Sequence, residues 1–186
     1  MEDFSLYILD IVTNSVRAGA TDIEISLTEK DDILTFIVKD NGCGMTEEQL
    51  QKLSNPFFTT RKTRNVGLGI PFLKMLAEMT GGNVCITSKH VSSGSDHGTN
   101  LTATFGKNHI DFVPMGDITQ TIVTLVQGSP EINFVFNHNI SDETVSLNCS
   151  ELKQILGDIS LAEPEILSWI SENLNGQYRE IGYIKK

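Results

Sequence analysis

Two glycine-containing motifs between residues 40 and 70 constrain this chain of 186 residues more than any other feature. Residues 40–45 read Asp-Asn-Gly-Cys-Gly-Met, and residues 67–70 read Gly-Leu-Gly-Ile. An acidic side chain followed by two glycines builds a tight pocket floor, where the carboxylate accepts a hydrogen bond from an exocyclic amine and a flat ring has room. A Gly-Leu-Gly that opens a helix presents free backbone N–H groups to phosphate oxygens. The order of the two motifs predicts an ATP site, although the first motif alone more often marks a turn.

An amphipathic helix is predicted over residues 4–18, and Gly19 is a good C-terminal stop. The side chains that recur near helical spacing are Leu6, Leu9, Val12, Thr13 and Val16. Asp10 and Asn14 are four residues apart, so they lie on one face of this helix, one turn from each other. Their carboxylate and amide oxygens suit Mg²⁺, which prefers oxygen ligands, and a nucleophile beside it. The alternative is that both side chains belong to an ordinary solvated helix face.

These segments resemble, in the same order, the motifs of the GHKL superfamily of ATP-binding domains, which includes gyrase B, a heat-shock chaperone, histidine kinases and mismatch-repair MutL. The matching segments are 10–21 (N box, closest to the MutL version), 40–45 (G1 box), 56–61 (F box of histidine kinases), 67–70 (G2 box) and the final Gly98-Thr99 element. The resemblance covers about residues 1–106 and implies a Bergerat-type ATP-binding fold. It specifies ATP much more closely than it specifies the reaction.

The resemblance implies a role at the adenine end and at the metal for several residues. Asn14 would be the protein ligand of Mg²⁺, and Asp40 would bind the adenine amine. At the adenine end, Gly42 and Gly44 would shape the pocket and Thr99 would support the aspartate. The resemblance also implies that Met45 and Phe58 bind the nucleotide.

At the phosphate end, the resemblance implies contacts through the backbone N–H groups of Gly67, Leu68 and Gly69. Lys62, in a short run that also contains two arginines, either supplies positive charge to the phosphates or is a solvated loop residue. Only residues 62–66 separate the F box from the G2 box, which predicts a short lid that buries the γ-phosphate poorly unless a partner protein completes the site.

Asp10 falls where many members of the superfamily place a glutamate that activates water or a substrate hydroxyl. Aspartate is one methylene shorter, and a general base must come within about 3 Å of the proton that it takes. The chain therefore departs from the family pattern at the candidate catalytic residue, and this departure predicts slow hydrolysis.

Composition indicates a cytoplasmic globular protein that binds neither nucleic acid nor membrane. The net charge of −10 opposes binding to phosphate backbones, which depends mainly on lysine and arginine. The chain contains no run of about eighteen apolar residues, so a membrane span is not predicted. The acidic start at Glu2 and Asp3 is unlike a signal peptide. The three cysteines are scattered without pair spacing, as expected for reduced thiols.

The predicted fold class is an α/β two-layer sandwich, in which helices cover one face of a sheet, followed by a smaller α/β region. The first domain spans 1–106, and 107–186 forms the second. The elements predicted for 107–186 are a strand at 110–113, a helix from the cap Asp117 to about 127, a hairpin of 132–140 with 144–147, a short helix capped by Ser150, and a helix at 164–174. This region is either a docking or dimerisation domain or a structural extension.

Three classes of function remain open at this point. The four histidines precede Val, Gly, Ile and Asn, whereas the phospho-accepting histidine of sensor kinases precedes an acidic residue on a helix ahead of the ATP domain. We therefore expect something other than a complete sensor kinase. The first class is a stand-alone kinase that acts on a partner protein, similar to the anti-sigma factor serine kinases, and the second is an ATP-gated protein-binding module with little or no turnover. The third, a nucleotide-free relic, is disfavoured by Asn14, Asp40 and the G2 glycines.

Overall fold

The computed structural model describes residues 2–53 and 69–183, apart from the side chain of Lys52. The helices in these residues are α1 (Phe4–Arg17), α2 (Glu47–Lys52), α3 (Gly69–Met79), α4 (Ile118–Gly128), α5 (Cys149–Leu156) and α6 (Pro164–Glu180). The strands are β1 (Asp22–Lys30), β2 (Ile33–Asp40), β3 (Asn83–Lys89), β4 (Gly98–Gly106), β5 (Asn133–Ile140) and β6 (Glu143–Asn148). No helix among them is both long and apolar enough to span a membrane.

The described strands form one mixed sheet in the order β3-β4-β2-β1-β5-β6. Strand β1 pairs antiparallel with β2 and parallel with β5, while the β2–β4, β3–β4 and β5–β6 pairs are all antiparallel. The predicted α/β fold class is confirmed. The division into 1–106 and 107–186 stays a prediction, to which the structure adds that β5 and β6 extend the sheet built by the first region.

One face of the sheet carries the hydrophobic core. Along β1, Ile23, Ile25 and Leu27 are buried and alternate with more exposed neighbours, which is the period-2 pattern of a half-covered strand. Helices α1 and α3 contact the first four strands in the chain, α6 contacts β6, and α4 packs between α1 and α6. Phe4 of α1 meets Phe36 and Phe105 edge to face at 5.6 and 5.2 Å between ring centroids, so α1 is anchored over the centre of the sheet.

Helix α1 forms as predicted, but its buried stripe differs from the predicted one. Asp3 caps the helix by accepting a hydrogen bond from the N–H of Leu6 at 3.2 Å. The buried positions are Phe4, Ser5, Tyr7, Ile8, Ile11, Val12 and Ser15, which follow the i, i+3, i+4 pattern. Leu6 is 39% exposed, so its assignment to the core face is wrong. The larger aromatic and β-branched side chains, which fill more of the core, decide the register.

Two predictions for 107–186 are wrong, and the helix predicted at 164–174 continues to Glu180. Residues 110–113 are not a strand, because Phe112 instead turns inward and packs on Phe4 and Phe105 at 5.7 and 5.9 Å between ring centroids. Asn148, not Ser150, caps α5, since β6 runs into this helix without a loop and the last strand residue takes the capping position. The helix capped by Asp117 and the β5–β6 hairpin are confirmed.

Candidate functional site

A cavity of about 370 Å³ opens between α1, the sheet and helices α2 and α3. Its walls mix apolar side chains with a few polar groups, as is typical of small-molecule sites. The lining residues are Ile11, Asn14, Ser15, Arg17, Ala18, Val38, Asp40, Cys43, Gly44, Met45, Gln49, Leu53, Ile70, Pro71, Ile86, Thr99 and Leu101. The structure therefore brings five of the predicted site residues together around one cavity, namely Asn14, Asp40, Gly44, Met45 and Thr99.

Asp40 ends β2 and presents a carboxylate that is held from three sides. Its Oδ2 accepts a hydrogen bond from the Ser15 hydroxyl at 2.6 Å. Its Oδ1 accepts from the N–H of Gly42 at 2.9 Å and from the N–H of Thr99 at 3.3 Å. A carboxylate has about four acceptor positions, so one remains for a donor in the cavity. The side chain is thus oriented in advance for a ligand N–H group.

The glycines around Asp40 are needed for close approach of the backbone. Gly44 has φ of +65°, and a Cβ there would overlap the carbonyl oxygen of Lys89. Gly98 has φ of +134°, and a Cβ there would overlap the carbonyl oxygen of Asp40. Gly42 lies behind the cavity, where a Cβ would come within 2.9 Å of the Cβ of Ala18. These glycines bring three chain segments together at the cavity floor.

A serine on β3 links the remaining residues of the floor. The Ser88 hydroxyl donates to the carbonyl of Gly98 at 2.9 Å, lies 2.9 Å from the Thr99 hydroxyl and accepts from the N–H of Met45 at 2.8 Å. Thr99 therefore supports Asp40 directly through its N–H group, and Ser88 links Thr99 to Met45. Gln49 of α2 closes a capping box with Thr46 and fixes the helix that forms the opposite wall.

Asp10 and Asn14 share one face of α1, but only Asn14 lines the cavity. The Asp10 carboxylate lies against Gly69, the first residue of α3, so closely that a Cβ on the glycine would overlap it. Asp10 is thereby placed at the positive end of the α3 dipole, which favours a carboxylate. Phe58, Lys62, Gly67 and Leu68, which the sequence also predicts at the site, lie outside the described residues.

Three residues at the site were not predicted from the sequence. Ser15 lies on the buried stripe of α1, between the apolar positions from which the amphipathic pattern is predicted. A small polar side chain on the true buried stripe is a signal for an internal hydrogen bond, here to Asp40. Arg17 ends α1 and Ser88 lies on the edge strand β3. No local sequence pattern predicts that either residue lies at the site.

Within residues 2–53 and 69–183, no group of three or more His, Cys, Asp or Glu side chains is arranged to hold a metal ion. Asn14, whose side chain carries an amide oxygen, is among the residues that line the cavity. Oxygen ligands suit Mg²⁺, which keeps several waters and binds through one or two protein oxygens together with phosphates.

Two solved structures share the fold of this chain. The Aquifex aeolicus MutL ATPase domain complexed with ADP matches with a TM-score of 0.53 and 14% identity, over 95% of this chain and 70% of that one. The N-terminal domain of a DNA repair protein matches with a TM-score of 0.56 and 13% identity, over 96% and 59% of the two chains. At such identities the likeness establishes the fold alone.

Sequence relatives are sensor kinases. The probable C4-dicarboxylate sensor kinase of Bacillus subtilis (strain 168) is 31% identical over 91 residues, which are 49% of this chain and 16% of that protein. The sensor histidine kinase YvrG of the same organism is 31% identical over 104 residues, which are 53% of this chain and 17% of that protein. The chain thus spans about a sixth of the length of these relatives.

The family model of the histidine kinase-, DNA gyrase B- and HSP90-like ATPases matches residues 2–109, more than half of the chain. The matched segment runs from α1 to β4 and carries all the residues that line the cavity. The predicted resemblance to the GHKL superfamily is confirmed. This chain belongs to the family of histidine kinase-, DNA gyrase B- and HSP90-like ATPases.

Proposed function

We propose that this protein binds ATP with Mg²⁺ in the cavity beside Asp40 and, together with a partner protein, acts as a protein kinase or as a slow ATPase. Family membership supports ATP as the ligand. The observation that carries the proposal is the Asp40 carboxylate, which three protein donors hold at the cavity floor with one acceptor position to spare.

The adenine end fits this group. An adenine amine is a donor, and Asp40 lines the cavity with one acceptor position that its three protein donors leave open. The apolar side chains of Val38, Ile86 and Leu101 line the wall beside it and suit the faces of an aromatic ring. The absence of a Cβ at Gly44 lets the backbone pass close to the same space.

At the phosphate end, Asn14 would hold Mg²⁺ through its side-chain oxygen. When bound, Mg²⁺ would neutralise part of the negative charge of the phosphates. Asp10 stands one turn before Asn14 and would accept a proton from a water or a substrate hydroxyl. Its neighbour Gly69 begins α3, so the positive end of that helix dipole lies in the same region and favours the negative charge of the phosphates.

An ATP-gated binding module with little turnover is the second candidate. It is favoured by the close packing of the Asp10 carboxylate on Gly69, because a side chain confined against a helix start has less freedom to reach a water molecule. In that case nucleotide would change the affinity for a protein partner, and residues 107–186 would supply the docking or dimerisation surface. The exposed thiols of Cys43 and Cys85 suit a reducing compartment, so we place either activity in the cytoplasm.

The experiment that tests the proposal is calorimetric titration of the protein with ADP in the presence of Mg²⁺. Asp40→Asn replaces an acceptor with a group that turns a donor towards the adenine amine. We expect affinity to fall about tenfold to a hundredfold, the equivalent of one charged hydrogen bond. Glu24→Gln is the matched control, because Glu24 is exposed on β1 and is not among the residues that line the cavity. Equal affinities for Asp40→Asn and the wild type would remove Asp40 from the adenine site.

Transfer of label from γ-labelled ATP separates the two candidates. Incubation of the protein with a lysate and label, followed by fractionation, should yield a labelled protein band if the chain is a kinase, and Asp10→Ala should abolish it. A gated binding module would give nucleotide-dependent retention of a partner on the immobilised protein without label transfer.

A further inference from the structure

The loop between β3 and β4, residues 90–97, lies directly on the turn that follows Asp40. We call residues 90–97 the β3–β4 loop and residues 41–45 the glycine turn. Two hydrogen bonds join them. The N–H of Val91 donates to the carbonyl of Cys43 at 2.8 Å, and Nδ1 of His97 lies 2.6 Å from the carbonyl oxygen of Gly42.

The second of these bonds requires a hydrogen on Nδ1 of the His97 ring. A backbone carbonyl oxygen can only accept, so Nδ1 must carry the hydrogen that it donates. This condition is met by the neutral Nδ1–H tautomer and by the charged ring. The bond therefore persists whichever of those two forms is present, and it requires one defined tautomer when the ring is neutral.

Gly42 is held at both of its backbone polar groups. Its N–H donates to Oδ1 of Asp40 at 2.9 Å, and its carbonyl accepts from His97. The bond from His97 therefore holds the Gly42–Cys43 peptide, which directly follows the Asn41–Gly42 peptide whose N–H donates to Asp40. The position of the carboxylate, and with it the direction of its remaining lone pair, depends on this turn.

Strand β4, which begins directly after the loop, contacts Asp40 itself. His97 precedes Gly98, whose lack of a Cβ allows contact with the carbonyl of Asp40, and then Thr99, whose N–H donates to Oδ1 at 3.3 Å. His97 thus ties the end of the β3–β4 loop to the glycine turn beside the point where both touch Asp40. The ion pair at the ends of the loop is more exposed than the bond from His97 and does not reach the glycine turn. Lys89 and Asp96 form an exposed ion pair at 2.6 Å, which contributes little.

From this arrangement, we propose that His97 is a positioning residue for recognition of the adenine base. This proposal rests on the proposed function, since the orientation of the Asp40 carboxylate matters only if Asp40 binds the adenine amine. His97 acts through Gly42 and touches neither the base nor the phosphates. Its effect is on the discrimination between a base that donates to Asp40 and a base that cannot.

The test compares the affinities of ADP and of inosine diphosphate, in which an oxygen acceptor replaces the amine. We expect His97→Ala to weaken ADP about tenfold and to leave inosine diphosphate nearly unchanged, so that the preference for ADP shrinks. His97→Asn should restore most of the preference, because the amide nitrogen of asparagine is as many bonds from Cα as Nδ1 of histidine. His90→Ala is the matched control. The His90 ring bonds Ser92 inside the same loop, at 2.8 and 3.2 Å, and this variant should bind both nucleotides as the wild type does.

The outcomes are distinct from those that test the proposed function. A wild type that fails to bind ADP refutes both. A wild type that prefers ADP, with an unchanged preference in His97→Ala or an equal loss in His90→Ala, refutes the role of His97 alone. Nitrogen-15 NMR of the ligand-free wild type gives a check that needs no variant to fold. In basic solution the His97 ring should be the Nδ1–H tautomer, and a dominant Nε2–H tautomer would also refute the inference.

Discussion

Glu29 is expected to make the stability of this protein fall as the solution becomes acidic. Glu29 is 7% exposed near the end of β1, and its side chain meets residues from three other segments of the chain. Its Oε1 accepts from the Tyr183 hydroxyl at 2.7 Å and lies 3.1 Å from Nε2 of His138, while Oε2 pairs with Lys107. The His138 ring is itself fully buried and bonds the hydroxyl of Tyr178 at 2.9 Å.

Burial alone would raise the pKa of the Glu29 carboxyl, but hydrogen bonds from His138, Lys107 and Tyr183 outweigh it and lower the pKa from 4.5 to about 2. That difference corresponds to roughly 3 kcal/mol of folding free energy. Because the folded pKa lies below the unfolded one, the unfolded state takes up the proton first. The stabilisation is therefore complete above pH 4.5 and is lost as the pH falls from 4.5 towards 2.

Urea unfolding of the wild type and of Glu29→Gln, each measured between pH 7 and pH 3, tests this reasoning. We expect the variant to be less stable by about 3 kcal/mol at pH 7, and the difference to fall to less than half of that by about pH 3. Glu24→Gln is the control, since Glu24 lies on the same strand but is exposed. It should change stability by less than about 0.5 kcal/mol at every pH. A difference between wild type and Glu29→Gln that stays constant with pH would refute the assignment.

Three further predictions concern the site. Asn14→Ala should abolish Mg²⁺-dependent binding of ADP in calorimetry, whereas Asp10→Ala should bind ADP normally and lose only turnover; equal loss of binding in both would make Asp10 a metal ligand or a fold residue. The isolated wild type should release phosphate from ATP at about one turnover per minute or less, far below the median enzyme rate of about 10 s⁻¹, and Asp10→Glu should raise this rate if reach limits it. Gly98→Ala should lower the melting temperature and abolish ADP binding, because a Cβ there overlaps the backbone of Asp40. Gly94→Ala, at a similar φ of +127° but in open space, should keep binding, and loss of binding in both variants would place the cause in backbone strain.

Local features of the chain were predictable because their physical causes are local. The caps at Thr46 and Asp117 follow from a side chain that bonds an N–H group three residues later in the chain. The hairpin around Ser141 and the glycine turn after Asp40 follow from backbone conformations that few residues tolerate. Errors arose where two local interpretations competed, as at residues 110–113, where an apolar run typical of a strand instead serves as a loop that packs an aromatic ring onto α1.

The sequence by itself determined the tight turn after Asp40 and the glycine at the start of α3, because the causes of both are local. Only the tertiary structure decided which distant groups complete them. Ser15 reaches Asp40 across 25 residues, His97 reaches Gly42 across 55, and His138 reaches Glu29 across 109. The last contact exists because β5 pairs in parallel with β1, and a parallel partner is chosen by how the whole sheet and its helices pack. Periodicity along one strand tells which face is buried, but it carries no information about the strand that will lie beside it.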